Sequence, residues 1–244
     1  MPIERLLDLT NDHPDPEALY TTIQFPEPPD DRPYVFVNMV STACGKILQA
    51  PRGSSAKGLG SPTDQLLMKR LQGLADGAIS GAGTIRIGNV VYRPEMWRCT
   101  VTRSGDLPEE TRFFTDAPDK VIVFAPRNLD KAVASRLAAK WKLHLVGDTD
   151  ADAKELLTVL RKEYGLKVVA MEGGADLNYS FFEAGVVDEL FLSFAPKIKG
   201  GKDLPTVVDG PGLPGNEVVN MDLLSVYRDE SELYFRYRVQ PGQR

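Results

Sequence analysis

An α/β fold with a mainly parallel sheet is the class this sequence predicts, and three observations predict it. Short apolar runs of strand length alternate with amphipathic runs of helix length from residue 34 to residue 195. Two of the strand-like runs end in glycine-bearing turns, at 81–84 and 172–175. The alternation then stops, and the chain closes with two β-rich runs separated by Asp229-Glu230-Ser231. Alternation of this kind gives parallel strands covered by helices on both faces, and the closing pair adds an antiparallel hairpin at one edge.

The elements follow in order. Residues 1–32 carry prolines at 2, 14, 16, 26, 28 and 29 and read as an arm, with Leu6, Leu7 and Leu9 available to pin it to a surface. Residues 33–244 read as one domain, with no internal repeat. Pro33 opens it, and Tyr34 to Val40 is a central strand. Ser41 to Gly60, rich in Ser, Gly and Pro, is long for a structureless connection and reads either as a functional lid or as a surface loop. Ser61-Pro62 starts a helix, the serine as N-cap and the proline at the first helical position, with Leu67, Leu71 and Leu74 as its apolar stripe. Strands are expected at Gly77–Ser80, Arg98–Thr102, Lys120–Ala125 and Leu143–Val146. Helices are expected at Lys131–Trp141 and Asp152–Tyr164, the latter with Leu156, Leu157 and Leu160 on one face.

Lys167 to Pro196 is the most informative stretch. A buried strand, Lys167–Met171, gives way to Glu172-Gly173-Gly174. A helix follows over Asp176–Ala184, ended by Gly185 in the left-handed position, and Leu190–Ala195 is a second strand stopped by Pro196. The glycines sit where strand hands over to helix. There the backbone can approach a ligand closely, and a helix start offers free N–H groups with about half a positive charge. A phosphate or pyrophosphate is the natural guest; a tight turn is the other reading. Gly81-Ala82-Gly83-Thr84 is a second such end, and two of them at one sheet edge are what a dinucleotide crevice requires. Arg103 and Ser104, after another strand, either hold a 2′-phosphate or form a solvated turn. Lys197, Lys199 and Lys202 make a small basic cluster, solvated or phosphate-binding.

The run Met171-Glu172-Gly173-Gly174-Ala175-Asp176-Leu177, then Phe181 to Leu190, Ala195-Pro196 and Gly200-Gly201, resembles the reductase domain of riboflavin biosynthesis. That domain is the C-terminal half of the bacterial RibD-like deaminase–reductase. Arg32-Pro33-Tyr34-Val35, Gly45-Lys46-Ile47, Leu71 to Asp76 and Gly81 to Arg86 continue the resemblance, which covers roughly 32 to 240. It implies a dihydrofolate reductase-like three-layer sandwich, NADPH as cofactor and a homodimer. It further implies an activity resembling 5-amino-6-(5-phosphoribosylamino)uracil reductase, a hydride delivered to C1 of the opened ribosylamino side chain. By the same resemblance Gly81, Gly83, Thr84, Gly173, Gly174, Ala175, Asp176 and Leu177 hold the cofactor. Thr42, Cys44 and Glu172 lie at the substrate, with Glu172 as the catalytic candidate in substrate hydrogen bonding or proton relay; a carboxylate tied to turn N–H groups is the other reading of Glu172. Asp176 beside a phosphate would repel it, so a capping role with its carboxylate turned away is expected.

The chain departs from the family in three places. Thr42-Ala43-Cys44-Gly45-Lys46 replaces a usual Ser-Leu-Asp-Gly-Lys, Gln72 stands where an arginine often serves the substrate phosphate, and Gly88 replaces an aspartate. The cofactor half of the pattern survives while the substrate half is eroded. A diverged substrate is therefore expected. The alternatives are a dihydrofolate reductase-like reductase of another heterocycle and a non-catalytic NADP-binding relative.

Bulk composition narrows the field. The 244 residues carry a net charge of −5, which argues against nucleic acid and membrane surfaces as partners and leaves a small-molecule substrate. With two histidines, His13 and His144, and two distant cysteines, no metal site is expected. Cys44 and Cys99 lie in or beside apolar runs and are expected to be buried thiols. No Walker loop and no Gly-x-Ser-x-Gly elbow is present, and the acidic, proline-rich start is unlike a signal peptide, so a cytoplasmic protein is expected.

Overall fold

The computed structural model describes residues 2–10, 12, 15–48, 58–87 and 90–241. Residues 49–57 of the candidate lid, His13 and Gly88 lie outside the described residues. The chain divides into two compact units. The first comprises Met1–Pro26, Val35–Leu74 and Ala175–Arg244, and the second Glu27–Tyr34 and Ala75–Gly174.

The second unit holds an all-parallel sheet. Its strands are β3 (Gly77–Gly81), β4 (Trp97–Val101), β5 (Val121–Ala125), β6 (Lys142–Leu145) and β7 (Val168–Met171). They lie in the order β7-β3-β4-β5-β6. The register sets Ile79 beside Met171 and Cys99, and Phe124 beside Val101 and His144, so all five carboxyl ends share one edge. β5 reads Val-Ile-Val-Phe-Ala because every residue in it is buried, as parallel strands covered on both faces require. Two helices are placed by local chemistry. Asp130 starts α4 (Lys131–Ala138), accepting from the Ala132 and Val133 N–H groups. Asp152 starts α5 (Ala153–Lys162), accepting from Glu155, and Leu156, Leu157 and Leu160 are buried on its inner face. Two one-turn helices escape the periodicity argument, α2 (Ala82–Ile85) and α3 (Arg112–Thr115), since four residues carry too little pattern.

The first unit holds a mixed sheet. Its strands are β1 (Glu4–Asp8), β2 (Tyr34–Thr42, all but its first residue), β8 (Glu189–Ala195), β9 (Met221–Asp229) and β10 (Glu232–Val239). The order is β1-β9-β10-β8-β2, with only β8 and β2 parallel. The closing hairpin β9–β10 is as expected. Ser61 caps α1 (Pro62–Gly73), its hydroxyl accepting from the Asp64 N–H at 3.1 Å, with Pro62 at the first position. Gly185, at φ +68, ends α6 (Ala175–Glu183).

The arm is anchored differently from expectation. Leu6, Leu7 and Leu9 are exposed by a third or more, while Ile3, Leu19, Tyr20 and Ile23 are buried. Strand β1 pairs with β9 at the sheet's edge, and its first four residues, Leu6 and Leu7 among them, are exposed. Tyr20 packs edge-on against Phe191 with centroids 5.0 Å apart, and Phe25 stacks on Phe36 at 5.3 Å. An ion triad, buried at Arg236 and Glu189 and part-buried at Asp12, completes the attachment. Arg236, 3% exposed, donates to Glu189 at 2.8 and 3.0 Å and to Asp12 of the arm at 2.6 Å.

Candidate functional site

The two glycine corners lie side by side in the second unit. β3 ends at Gly81 and runs into α2; β7 ends at Met171 and runs into Glu172-Gly173-Gly174. The Gly81 N–H donates to the Gly173 carbonyl at 3.3 Å, and the Glu172 N–H donates to the Ile79 carbonyl at 3.0 Å. Backbone bonds thus hold one corner to the other.

The glycines are needed for different reasons. Gly173 and Gly174 have φ of +108 and +104, a region that side chains rarely adopt. A Cβ on Gly173 would also stand 3.1 Å from the Thr84 hydroxyl oxygen. A Cβ on Gly83 would meet nothing within 4 Å, so this exposed residue borders open space. A backbone turn bordered by open space, with a threonine hydroxyl beside it, fits a phosphate-bearing nucleotide.

The predicted residues divide between the units. Gly81, Gly83, Thr84, Glu172, Gly173 and Gly174 come together in the second. Ala175, Asp176 and Leu177 form the first turn of α6, which belongs to the first unit. Asp176 lies one residue inside that helix and so does not occupy its cap position.

Thr42 and Cys44 also fall in the first unit. Thr42 is buried, and its hydroxyl accepts from the Lys46 N–H at 2.9 Å across a turn that puts Gly45 at φ +78. Cys44 corrects an expectation, since this thiol is exposed where a buried one was foreseen; Cys99 alone is buried. The 42–46 turn carries Cys44 outward, beyond the apolar run of β2. Its sulfur lies 3.3 Å from the Thr42 hydroxyl and accepts from the Lys199 and Gly200 N–H groups, each at 3.3 Å. The Thr42 hydrogen bond first, then those N–H groups, lower its pKa to about 7. Burial pushes Cys99 the other way. Gln72 is buried on α1.

The flanking cations are engaged. Arg103, after β4, is exposed, and its Nε donates to Asp150 at 2.5 Å. Lys197 donates to the carbonyls of Gly58 and Leu59 at 2.7 and 2.6 Å, a structural use of one member of the basic cluster.

Sequence reasoning passed over Tyr92 and Ser80. Tyr92 lies outside every helix and strand, and Ser80 reads as an ordinary strand residue. No spacing announces either. Both are buried, and their hydroxyl oxygens are 3.0 Å apart.

An all-parallel sheet gathering glycine turns at its carboxyl edge, in a chain that also holds a mixed sheet closed by a C-terminal hairpin, defines an α/β protein of mainly parallel sheet with an antiparallel closing pair. Comparison with known proteins carries this further. The chain belongs to the RibD C-terminal domain family, whose model matches residues 33–235.

Among curated proteins it is similar to the 2,5-diamino-6-ribosylamino-4(3H)-pyrimidinone 5′-phosphate reductase of Methanothermobacter thermautotrophicus. The two are 28% identical over 219 residues, covering 86% of this chain and 99% of the relative. The reductase of the same name from Aquifex aeolicus is 30% identical over 192 residues, covering 75% of this chain and 85% of the relative. Among solved structures, RibD of Acinetobacter baumannii superposes with a TM-score of 0.70 at 19% identity; the match covers 86% of this chain but only 58% of that longer one.

Proposed function

We propose that the protein is an NADPH-dependent reductase of a ribosylamino-pyrimidine 5′-phosphate. The observation that carries the proposal is the pair of hydrogen-bonded glycine corners in a chain of this family. Gly81, Gly83, Thr84, Gly173 and Gly174 would hold the nucleotide, with Ala175, Asp176 and Leu177 as the chain continues from Gly174. When bound, the cofactor supplies a hydride for C1 of the opened ribosylamino sugar. The chain's own groups bind, orient and move protons. The turn N–H groups and the Thr84 hydroxyl offer donors to phosphate oxygens, and Glu172 accepts a polar hydrogen of the substrate as the carboxylate or, in its protonated form, passes a proton to it.

The curated relatives are named for the diaminopyrimidinone form of the substrate, so that form is proposed first and the aminouracil form second. Thr42 and Cys44 are proposed as substrate contacts, with Cys44 in place of the family's aspartate tuning the choice. A cytoplasmic homodimer is proposed with the same reading. Among the described residues no helix is long and apolar enough to cross a membrane.

The test is NADPH consumption by the purified protein with each pyrimidine offered in turn, and with dihydrofolate as a control. Turnover with a ribosylamino-pyrimidine and none with dihydrofolate is expected. NADPH that neither raises the melting temperature nor is consumed would overturn the proposal, because a ligand at 100 times its Kd stabilises by about 2.7 kcal/mol.

A further inference from the structure

We propose that the outer face of the mixed sheet in the first unit docks a second copy of this chain, sheet against sheet; this rests on the homodimer proposed above and names the surface that forms it.

The alternation of the closing hairpin is inverted there. A strand with one wet face ordinarily turns its apolar residues inward and its polar ones outward. β10 does the opposite. Its buried residues are Glu232, Tyr234 and Arg236, while Leu233, Phe235 and Tyr237 between them are half-buried on the outer side. The neighbouring strands carry the pattern on in register. Phe194 and Leu192 of β8 stand beside Leu233 and Phe235 and are half-buried too, and Val226 of β9 flanks Phe235 from the other side. Leu7 of the arm, 36% exposed, ends that row beside Val226. The rings form one surface: Phe235 meets Phe194 edge-on at 6.3 Å and stacks on Tyr237 at 5.8 Å.

The inner side can be polar because this chain supplies its partners. The Ser61 N–H donates to both Glu232 oxygens at 3.2 Å and the Tyr234 hydroxyl to one of them at 2.8 Å. Arg236 is held by Glu189 and by Asp12 of the arm. The start of α1 and the arm thus cover the inner side. The chain has little left to cover the outer one, since residues 49–57, the longest stretch outside the described residues, hold no apolar side chain larger than that of proline.

A second copy matches the face in charge and in size. The row from Leu7 to Leu192 carries no ion, so two copies meet along it without stripping water from a charge. Arg228, in the next row, is already paired with Glu4 of its own chain. Four strands about 4.8 Å apart, with a rise of about 3.4 Å per residue, give an apolar face of about 400 Å². With a polar rim that approaches the roughly 800 Å² per partner of a standard interface. A two-fold axis through such a face brings like rows together, and facing sheets pack about 10 Å apart with their side chains interdigitated.

The test is sedimentation velocity on the full chain over a range of concentrations, with circular dichroism as the check on folding. The wild type is expected to sediment as a dimer. Phe235→Lys should raise the dimer Kd by at least about 100-fold, because a two-fold interface counts a central aromatic twice. Ile198→Lys, at a residue 76% exposed in the loop after β8, should sediment as the wild type does. Should Phe235→Lys fail to fold, Leu7→Lys asks the same question at an edge residue that already meets water, with a rise of about 10-fold expected. A dimeric wild type whose folded Phe235→Lys or Leu7→Lys variant associates equally tightly would overturn this face and leave the homodimer standing. A monomeric wild type would overturn both. A monomer that floats with phosphatidylcholine vesicles, and ceases to do so as Phe235→Lys, would give the face to a lipid surface and overturn the second copy.

Discussion

The two compact units each contain a turn marked out by the family resemblance, and they are built in opposite ways. The corner in the second unit is made of backbone: Gly173 and Gly174 at positive φ, and N–H to carbonyl bonds from Gly81 and Glu172. The 42–46 turn in the first unit presents a side chain, the Cys44 sulfur, held by a threonine hydroxyl and two backbone N–H groups. A backbone site tolerates almost no change of residue but is indifferent to pH. A side-chain site tolerates replacement, yet its chemistry follows its protonation. The same contrast accounts for which half of the family pattern survives. Glycines required by φ have no substitute, whereas an aspartate exchanged for Cys44 leaves the turn intact.

The sharpest way to break this comparison is Gly173→Ala. The added methyl group meets Thr84 and sits at φ +108, so both stability and cofactor binding should fall. A cost of about 1–3 kcal/mol is expected for holding an ordinary residue in that conformation. Calorimetric titration with NADPH and a melting curve measure the two effects. Unchanged affinity would mean that this corner holds no nucleotide.

Gly83→Ala separates the two effects. Nothing stands within 4 Å of the new methyl group, and α2 gains a better helix former, so the melting temperature should hold or rise, by up to about 1 kcal/mol in stability. Affinity for NADPH should nevertheless drop, because the methyl group intrudes on the open space assigned to the ligand. A variant equally stable and equally tight would move the ligand away from Gly83.

The smallest effect concerns the other turn. Alkylation of Cys44 by iodoacetamide should rise with pH to a half-maximum near 7, since the thiolate is the nucleophile and its pKa is lowered to about 7 from an ordinary 9.0. Cys99, buried, should stay unmodified in the folded protein. Peptide mass mapping across pH distinguishes them. A half-maximum close to 9 would show that the Thr42 hydroxyl and the N–H groups of Gly200 and Lys199 do not hold the sulfur in solution.

Much of this was legible in the sequence, for identifiable reasons. β5 was plain because a strand covered on both faces must be apolar throughout, and the starts of α1, α4 and α5 because Ser61, Asp130 and Asp152 announce them. The 172–175 corner could be read because a positive φ selects for glycine so strongly, at Gly173 and Gly174. Three features could not be read. The exposure of Cys44 depends on how a turn of five residues projects a side chain, which composition does not encode. β1 is a strand only because β9 offers an edge; its own residues, Glu-Arg-Leu-Leu-Asp, carry no alternation. Tyr92 meets Ser80 from a stretch without regular structure, and only the folded chain brings the two hydroxyls together.

Strand β1 bears on how this protein can be handled. The family match begins at residue 33, which invites cutting the chain there. That cut would unzip the rim of the hairpin sheet, leaving the outer backbone groups of β9 ready to recruit a neighbouring molecule, and would take Asp12 away from Arg236 in the interior. What looks like a dispensable leader is the selvedge of the fabric, and the trimmed protein should fray and clump.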